Sequence, residues 1–121
     1  TQIERKQNRG VMKGNNLLSI IEEMRKLDCT IESQAIAVFF TVCLEEQSDG
    51  ISMQSISDKL SIAQSSVSRN VFKLSTVNRH RVQGLGLVES YEDPSERRRK
   101  LVKTTAKGRR LFAKLTTLVK Q

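Results

Sequence analysis

Residues 51–74 read ISMQSISDKLSIAQSSVSRNVFKL. Ile56 and Leu60 stand four apart, Ile62 falls in a short break, and Val67, Val71 and Leu74 resume the i, i+4, i+7 spacing. Positions so spaced share one face of a helix. The pattern predicts two short helices meeting through one apolar cluster, the arrangement of a helix-turn-helix. In that motif the second helix buries one stripe and turns the opposite face toward a DNA major groove. Here the outward face would carry Gln64, Ser65, Ser66, Ser68, Arg69 and Lys73. Small hydroxyl residues let a backbone approach phosphates and base edges, and Arg69 and Lys73 can reach further. A plain solvated helix face could carry the same residues, so this stretch alone leaves both readings open.

Downstream, Gly84-Leu85-Gly86 breaks the helical pattern. Leu87-Val88-Glu89-Ser90-Tyr91 and Arg99-Lys100-Leu101-Val102-Lys103 then read as two short strands around the turn formers Asp93-Pro94-Ser95. A helix-turn-helix followed by a basic hairpin makes a winged helix. The cations Arg97, Arg98, Arg99 and Lys100 are expected at the hairpin tip. Arg99 and Lys100 alternate along the strand, so one of them would face DNA. Thr105 is a cap for a last helix whose stripe is Leu111, Phe112, Leu115, Leu118 and Val119, despite Gly108 in its first turn. Upstream, Leu17, Leu18, Ile20, Ile21, Met24 and Leu27 predict a helix over about residues 12 to 28. Asp28-Cys29-Thr30 looks like a break, with Thr30 capping a second helix that carries Ile36, Phe39, Phe40, Cys43 and Leu44. That helix is apolar almost all round and should be central, ending by turn chemistry at Ser48-Asp49-Gly50.

The expected fold class is therefore mainly α with a small β-hairpin wing, a winged helix-turn-helix. A chain of 121 residues fits one domain. Residues 1–10 read as a basic flexible tail and 11–121 as the domain, with 51–104 holding the helix-turn-helix and wing. Leu17, Ile21 and Met24 near one end and Leu111, Leu115 and Leu118 near the other form two apolar stripes that one copy of this size would struggle to bury. Helices over 11–28 and 105–121 are accordingly expected to form a dimer interface.

Charge narrows the partner. Residues 1–60 hold 7 Lys and Arg against 9 Asp and Glu, whereas residues 61–121 hold 14 against 4, so the whole excess of +8 lies in the second half. One-sided basicity suits a polyanion, because cations at phosphates release condensed counterions. The basic residues do not line one amphipathic helix opposite an aromatic face, so a membrane surface fits less well. No run of about 18 apolar residues could span a bilayer. The polar start TQIERKQNRG resembles no secretory signal, which predicts the cytoplasm, and the missing initiator Met suggests a processed or trimmed start. Cys29 and Cys43 lack CxxC or Cys/His spacing and are expected as buried structural thiols, with Cys29 a weak redox candidate. His80 stands alone and reads as a solvated loop residue. Nothing pairs a nucleophile with a base or sets metal ligands together, so neither an enzyme nor a bound cofactor or metal is expected.

With those residues in view, the chain resembles the MarR family of transcriptional regulators over about Ile31 to Leu115. IESQAIAVFF (31–40) resembles the family's helix after the first dimerisation helix, and ISDKLSIAQSSVSRNVFKL (56–74) its paired helices. The most specific piece is GLVESYEDPSERRRKLVKTTAKGRRL (86–111), with an Asp-Pro-x-Asp/Glu-Arg-Arg wing tip and Thr-x-x-Gly. The resemblance implies an intertwined homodimer on duplex DNA. Ser65, Ser66, Ser68 and Arg69 would face the major groove, Arg97 and Arg98 would reach the backbone or adjacent minor groove, and Asp93 would steady an arginine within the wing. Departures are local. STVNRHRVQGL (75–85) is longer than the usual link, so the recognition helix extends or a basic loop bearing Arg79 and Arg81 is inserted. Ala63 stands where a capping residue is common, Thr104 replaces an apolar residue, and the last helix stops near Gln121.

The function expected is a sequence-specific DNA-binding regulator, acting as a repressor on a pseudo-palindromic site. An unidentified small-molecule effector would suit the family. The rivals are a winged-helix factor for replication or packaging, and a winged-helix protein-interaction module.

Overall fold

A computed structural model describes residues 2–45, 50–75 and 84–119, with side chains from residue 14 onward. Helices α1 (Gln2–Leu27) and α2 (Ser33–Leu44) precede a short strand β1 (Ile51–Ser52). Helices α3 (Met53–Leu60) and α4 (Gln64–Leu74) follow, then strands β2 (Val88–Asp93) and β3 (Glu96–Thr104), and helix α5 (Ala106–Val119). The sheet is antiparallel in the order β1-β3-β2.

Helix α2 sits at the centre, against α3, α4, α5 and β3. Its Ala35, Val38, Phe39 and Val42 are buried with Ile56, Val67, Val71, Leu74, Leu87, Val88 and Val102. Phe39 meets Phe112 of α5 edge-on, with ring centroids 6.4 Å apart and planes at 89°. Fully burying a side chain of this size stabilises by about 1.5–3 kcal/mol, which is why the aliphatic pattern outweighs weak local signals. Thr41 is buried without penalty because its hydroxyl donates to Ala37 O at 2.8 Å.

The helix-turn-helix forms as the spacing predicts. Ser52 caps α3, its Oγ accepting from Ser55 N at 3.0 Å. Ser61 closes the helix with φ 55, and Ser57 Oγ donates to Ile62 O at 2.6 Å to hold the tight turn. Helix α4 ends at Leu74, so it does not extend into the long link. Leu85 N, Gly86 N and Leu87 N donate to Lys73 O, Ser75 O and Leu74 O, and these bonds draw the two ends of that link together. Arg79, His80 and Arg81 lie outside the described residues.

Several expectations are corrected. The chain expected as a flexible tail is helical from Gln2, because Gln2 to Gln7 include Glu, Arg and Lys, good helix formers with no proline to stop them. Thr30 does not cap α2: its N and Oγ1 donate to Asp28 Oδ1, an Asx turn, and Glu32 takes the cap position. Cys29 is exposed on that turn instead of buried, while Cys43 packs half-buried against the core. Strand β1 escaped the sequence reading because two residues carry no periodicity; it exists by pairing Ile51 with Val102 and Ser52 with Leu101. Met24 and Leu115, expected at a dimer interface, are 0% and 2% exposed within one chain. The stripes of α1 and α5 turn partly inward because the two helices pack together, and Glu23 Oε2 on α1 meets Lys114 Nζ on α5 at 3.0 Å. Hydrogen bonds from Lys26 and Lys114 hold the Glu23 carboxyl below its ordinary pKa.

Candidate nucleic-acid interface

Thr105 and Gly108 aim the wing. Thr105 Oγ1 accepts from Gly108 N at 3.0 Å and donates to Gly86 O at 2.6 Å, and so ties the start of α5 to the entrance of β2. The hairpin leaves this anchor with Val88 opposite Thr104 and Glu92 opposite Lys100. Its next pair is Asp93 with Glu96, so Arg97, Arg98 and Arg99 are passed over on β3. The three arginines therefore occupy an irregular stretch of strand and not the turn itself, so simple alternation does not apply to them, while Lys100 keeps its register opposite Glu92.

Asp93 makes the turn. Its Oδ1 accepts from Ser95 N at 2.9 Å and from Ser95 Oγ at 2.8 Å, while Oδ2 stands 4.0 Å from Arg99 Nε. The Ser95 bonds, more than the arginine, hold the Asp93 carboxyl below its ordinary pKa. Lys103 is engaged by Glu89 at 3.4 Å and lies 5.2 Å from the Tyr91 ring centroid. Arg97, Arg98 and Lys100 are exposed, with no carboxylate in ion-pair range among the described residues. Three uncompensated cations on one strand concentrate positive potential there.

A concavity of about 640 Å³ lies between this strand and the helix pair. Gln64, Ser65 and Ser68 of α4 form one wall, Ser52 to Ser55 another, and Glu96, Arg98, Arg99 and Lys100 the third. Ala63 precedes α4 without a side-chain cap, so the first N–H groups of the helix are left to other acceptors. Ser66 and Lys73 are not in this wall. At about 100° per residue they lie roughly 140–160° round the helix from Ser68. Ser66 is half-buried, its carbonyl accepting from Asn70 Nδ2 at 3.0 Å, and Lys73 Nζ meets Glu32, the residue that precedes α2, at 3.2 Å. Arg69 is exposed one turn beyond Ser65. Arg97 is exposed next to the concavity without lining it. Ser52, Met53, Gln54 and Ser55 were missed by sequence reasoning, since only the turn between the helices swings them into the same hollow.

Among the described residues no three His, Cys, Asp or Glu side chains group closely enough to hold a metal ion. None of the described helices is long and apolar enough to cross a membrane.

A helix pair joined by a tight turn, a three-stranded wing and flanking helices in this order define a winged helix-turn-helix. No protein-family model and no curated protein sequence matches the chain. Solved structures of MarR regulators share its fold. MepR of S. aureus, solved as a DNA complex, is 18% identical with a TM-score of 0.70 over 99% of this chain and 84% of MepR. A MarR transcriptional regulator from Methanosarcina mazei Go1 is 22% identical with a TM-score of 0.64, over 99% of this chain and 76% of that one. The PcaV transcriptional regulator from Streptomyces coelicolor, solved with its natural ligand, is 22% identical with a TM-score of 0.56 over 74% of this chain. The matched region spans 56% of the PcaV chain. The fold is the MarR-like winged helix.

Proposed function

We propose that this chain is a MarR-family transcriptional regulator that binds duplex DNA as a homodimer and represses by occluding a promoter. The observation that carries the reading is the concavity in which Gln64, Ser65 and Ser68 face Arg98, Arg99 and Lys100. A recognition helix in the major groove and a cationic strand along the flanking backbone would engage a duplex from both sides. The likeness in fold to the DNA-bound MepR supports that docking. Arg69 and Arg97 would extend the contact, while Lys73, paired with Glu32, would take a lesser part.

Leu17, Leu18 and Ile21 on α1 and Val119 on α5 are 67%, 58%, 43% and 67% exposed. This exposed apolar surface, with half-buried Leu111 and Leu118 behind it, supports a dimer in which a second copy would cover it. Two recognition helices would then stand about one helical turn of DNA apart and read a pseudo-palindrome. Leu17→Asp with Ile21→Asp is expected to shift the protein from dimer to monomer in sedimentation velocity, because two charges would be desolvated in each copy. A sedimentation coefficient unchanged by the pair of charges would remove these helices from the interface.

Selection of bound duplexes from a random pool at fixed salt tests the function itself. The expected product is a pseudo-palindrome whose genomic matches fall in promoters. Matches confined to replication origins would favour the replication rival, and no preference over bulk DNA would overturn a sequence-specific regulator.

A further inference from the structure

A hydrogen-bond relay crosses the turn between α3 and α4. Gln54 Nε2 donates to Asp58 Oδ1 at 2.9 Å, one turn along α3. Gln64 Nε2 donates to Gln54 Oε1 at 2.6 Å. A carboxylate only accepts, so Asp58 decides that the NH2 end of the Gln54 amide turns toward it. Gln54 Oε1 then faces the other way, and Gln64 must answer with its own NH2. One charge thus sets the orientation of two amides in sequence.

Gln64 keeps its Oε1 and a second Nε2 hydrogen, neither engaged by another group among the described residues. It is exposed in the first turn of α4, beside Ser65 and Ser68 in the wall facing Arg98. An acceptor beside a donor on one planar amide matches the major-groove edge of adenine, where N7 accepts and N6 donates. Guanine offers two acceptors there and would leave the Gln64 oxygen opposed to O6.

We propose that Gln64 reads an adenine in the major groove, and that Gln54, oriented by Asp58, is the positioning residue that presents it. This inference rests on the DNA-binding reading above. Ordering the amide before DNA arrives reduces the conformational entropy lost on contact. Because the acceptor and donor so held match adenine and oppose guanine, the relay serves discrimination at one base pair per half-site.

Competition binding with the selected duplex and its single A·T→G·C variants tests the assignment, using the intact protein. Unsubstituted protein is expected to prefer one A·T pair per half-site by roughly tenfold to a hundredfold. Gln64→Ala should abolish that preference. Gln54→Met, which keeps the length of the side chain but has neither amide group, should reduce it at the same base pair and at no other. Preference unchanged in Gln54→Met, or affinity lowered equally on every duplex, overturns the positioning role. Salt-dependent duplex binding without any adenine preference overturns the reader alone, whereas no duplex binding by the unsubstituted protein overturns the underlying reading as well.

Discussion

Replacing Arg97 and Arg98 together by alanine is expected to weaken duplex binding by at least about tenfold near 0.15 M salt and to flatten its salt dependence. Each phosphate contact contributes about 0.9 to the slope of log affinity against log salt. Two arginines in each copy of a dimer would therefore lower the slope by up to about 3.6. The effect should be close to uniform across sequences if both side chains reach phosphate. It should concentrate on A·T-rich flanks if one enters a narrow minor groove, where the negative potential is enhanced. Both residues are exposed and without a carboxylate partner among the described residues, so folding should change by no more than about 0.5 kcal/mol. Arg99 differs, because Asp93 Oδ2 lies 4.0 Å away and the turn bears on it. Unchanged affinity and slope in the double variant, measured by fluorescence anisotropy over a salt series, would take the wing off the DNA and favour the protein-interaction rival.

Gly108→Ala is expected to destabilise the fold, against the usual sign for a glycine in a helix. In an open helix that change stabilises by about 1 kcal/mol. Here the added Cβ would overlap the carbonyl oxygen of Leu87 and come within 3.0 Å of its carbon. Backbone at Leu87 cannot easily yield: its N donates to Leu74 O at 2.8 Å and its O accepts from Thr105 N at 3.0 Å. Overpacking of this kind costs about 1–3 kcal/mol, which outweighs the propensity gain. Urea denaturation should show a lower midpoint with the slope preserved. Since Thr105 and Gly108 set where the hairpin leaves the domain, the variant should also bind duplex less tightly under conditions where it remains folded. A raised midpoint would mean that α5 does not seat on Leu87.

Much of this was legible in the residues. Ile56, Leu60, Val67, Val71 and Leu74 announced the helix pair because side chains three and four apart share a face whatever surrounds them. Asp93-Pro94-Ser95 announced the turn because an Asp side chain can bond the backbone two residues on. Thr105 announced a cap for the same local reason.

Contacts between distant segments were not legible. Ile51 gains its strand only from Val102, far along the chain, and Gln54 meets Gln64 only after the turn folds back. The stripe on α1 was visible as a stripe, yet periodicity carries no information on what covers it: α5 and the core bury Met24, while Leu17 stays 67% exposed. Lys73 shares a polar character with Ser68, yet about 100° per residue already sets it on the other side of α4; only its partner there, Glu32, depended on the tertiary structure. Turns, most caps and helix faces can be read from the residues alone, because they depend on bonds and sterics within a few residues; Thr30, which turns back on Asp28 instead of capping α2, is the exception. Tertiary structure alone decided which faces meet, which cations go unpaired and where the concavity opens, because those depend on how the chain closes over long separations.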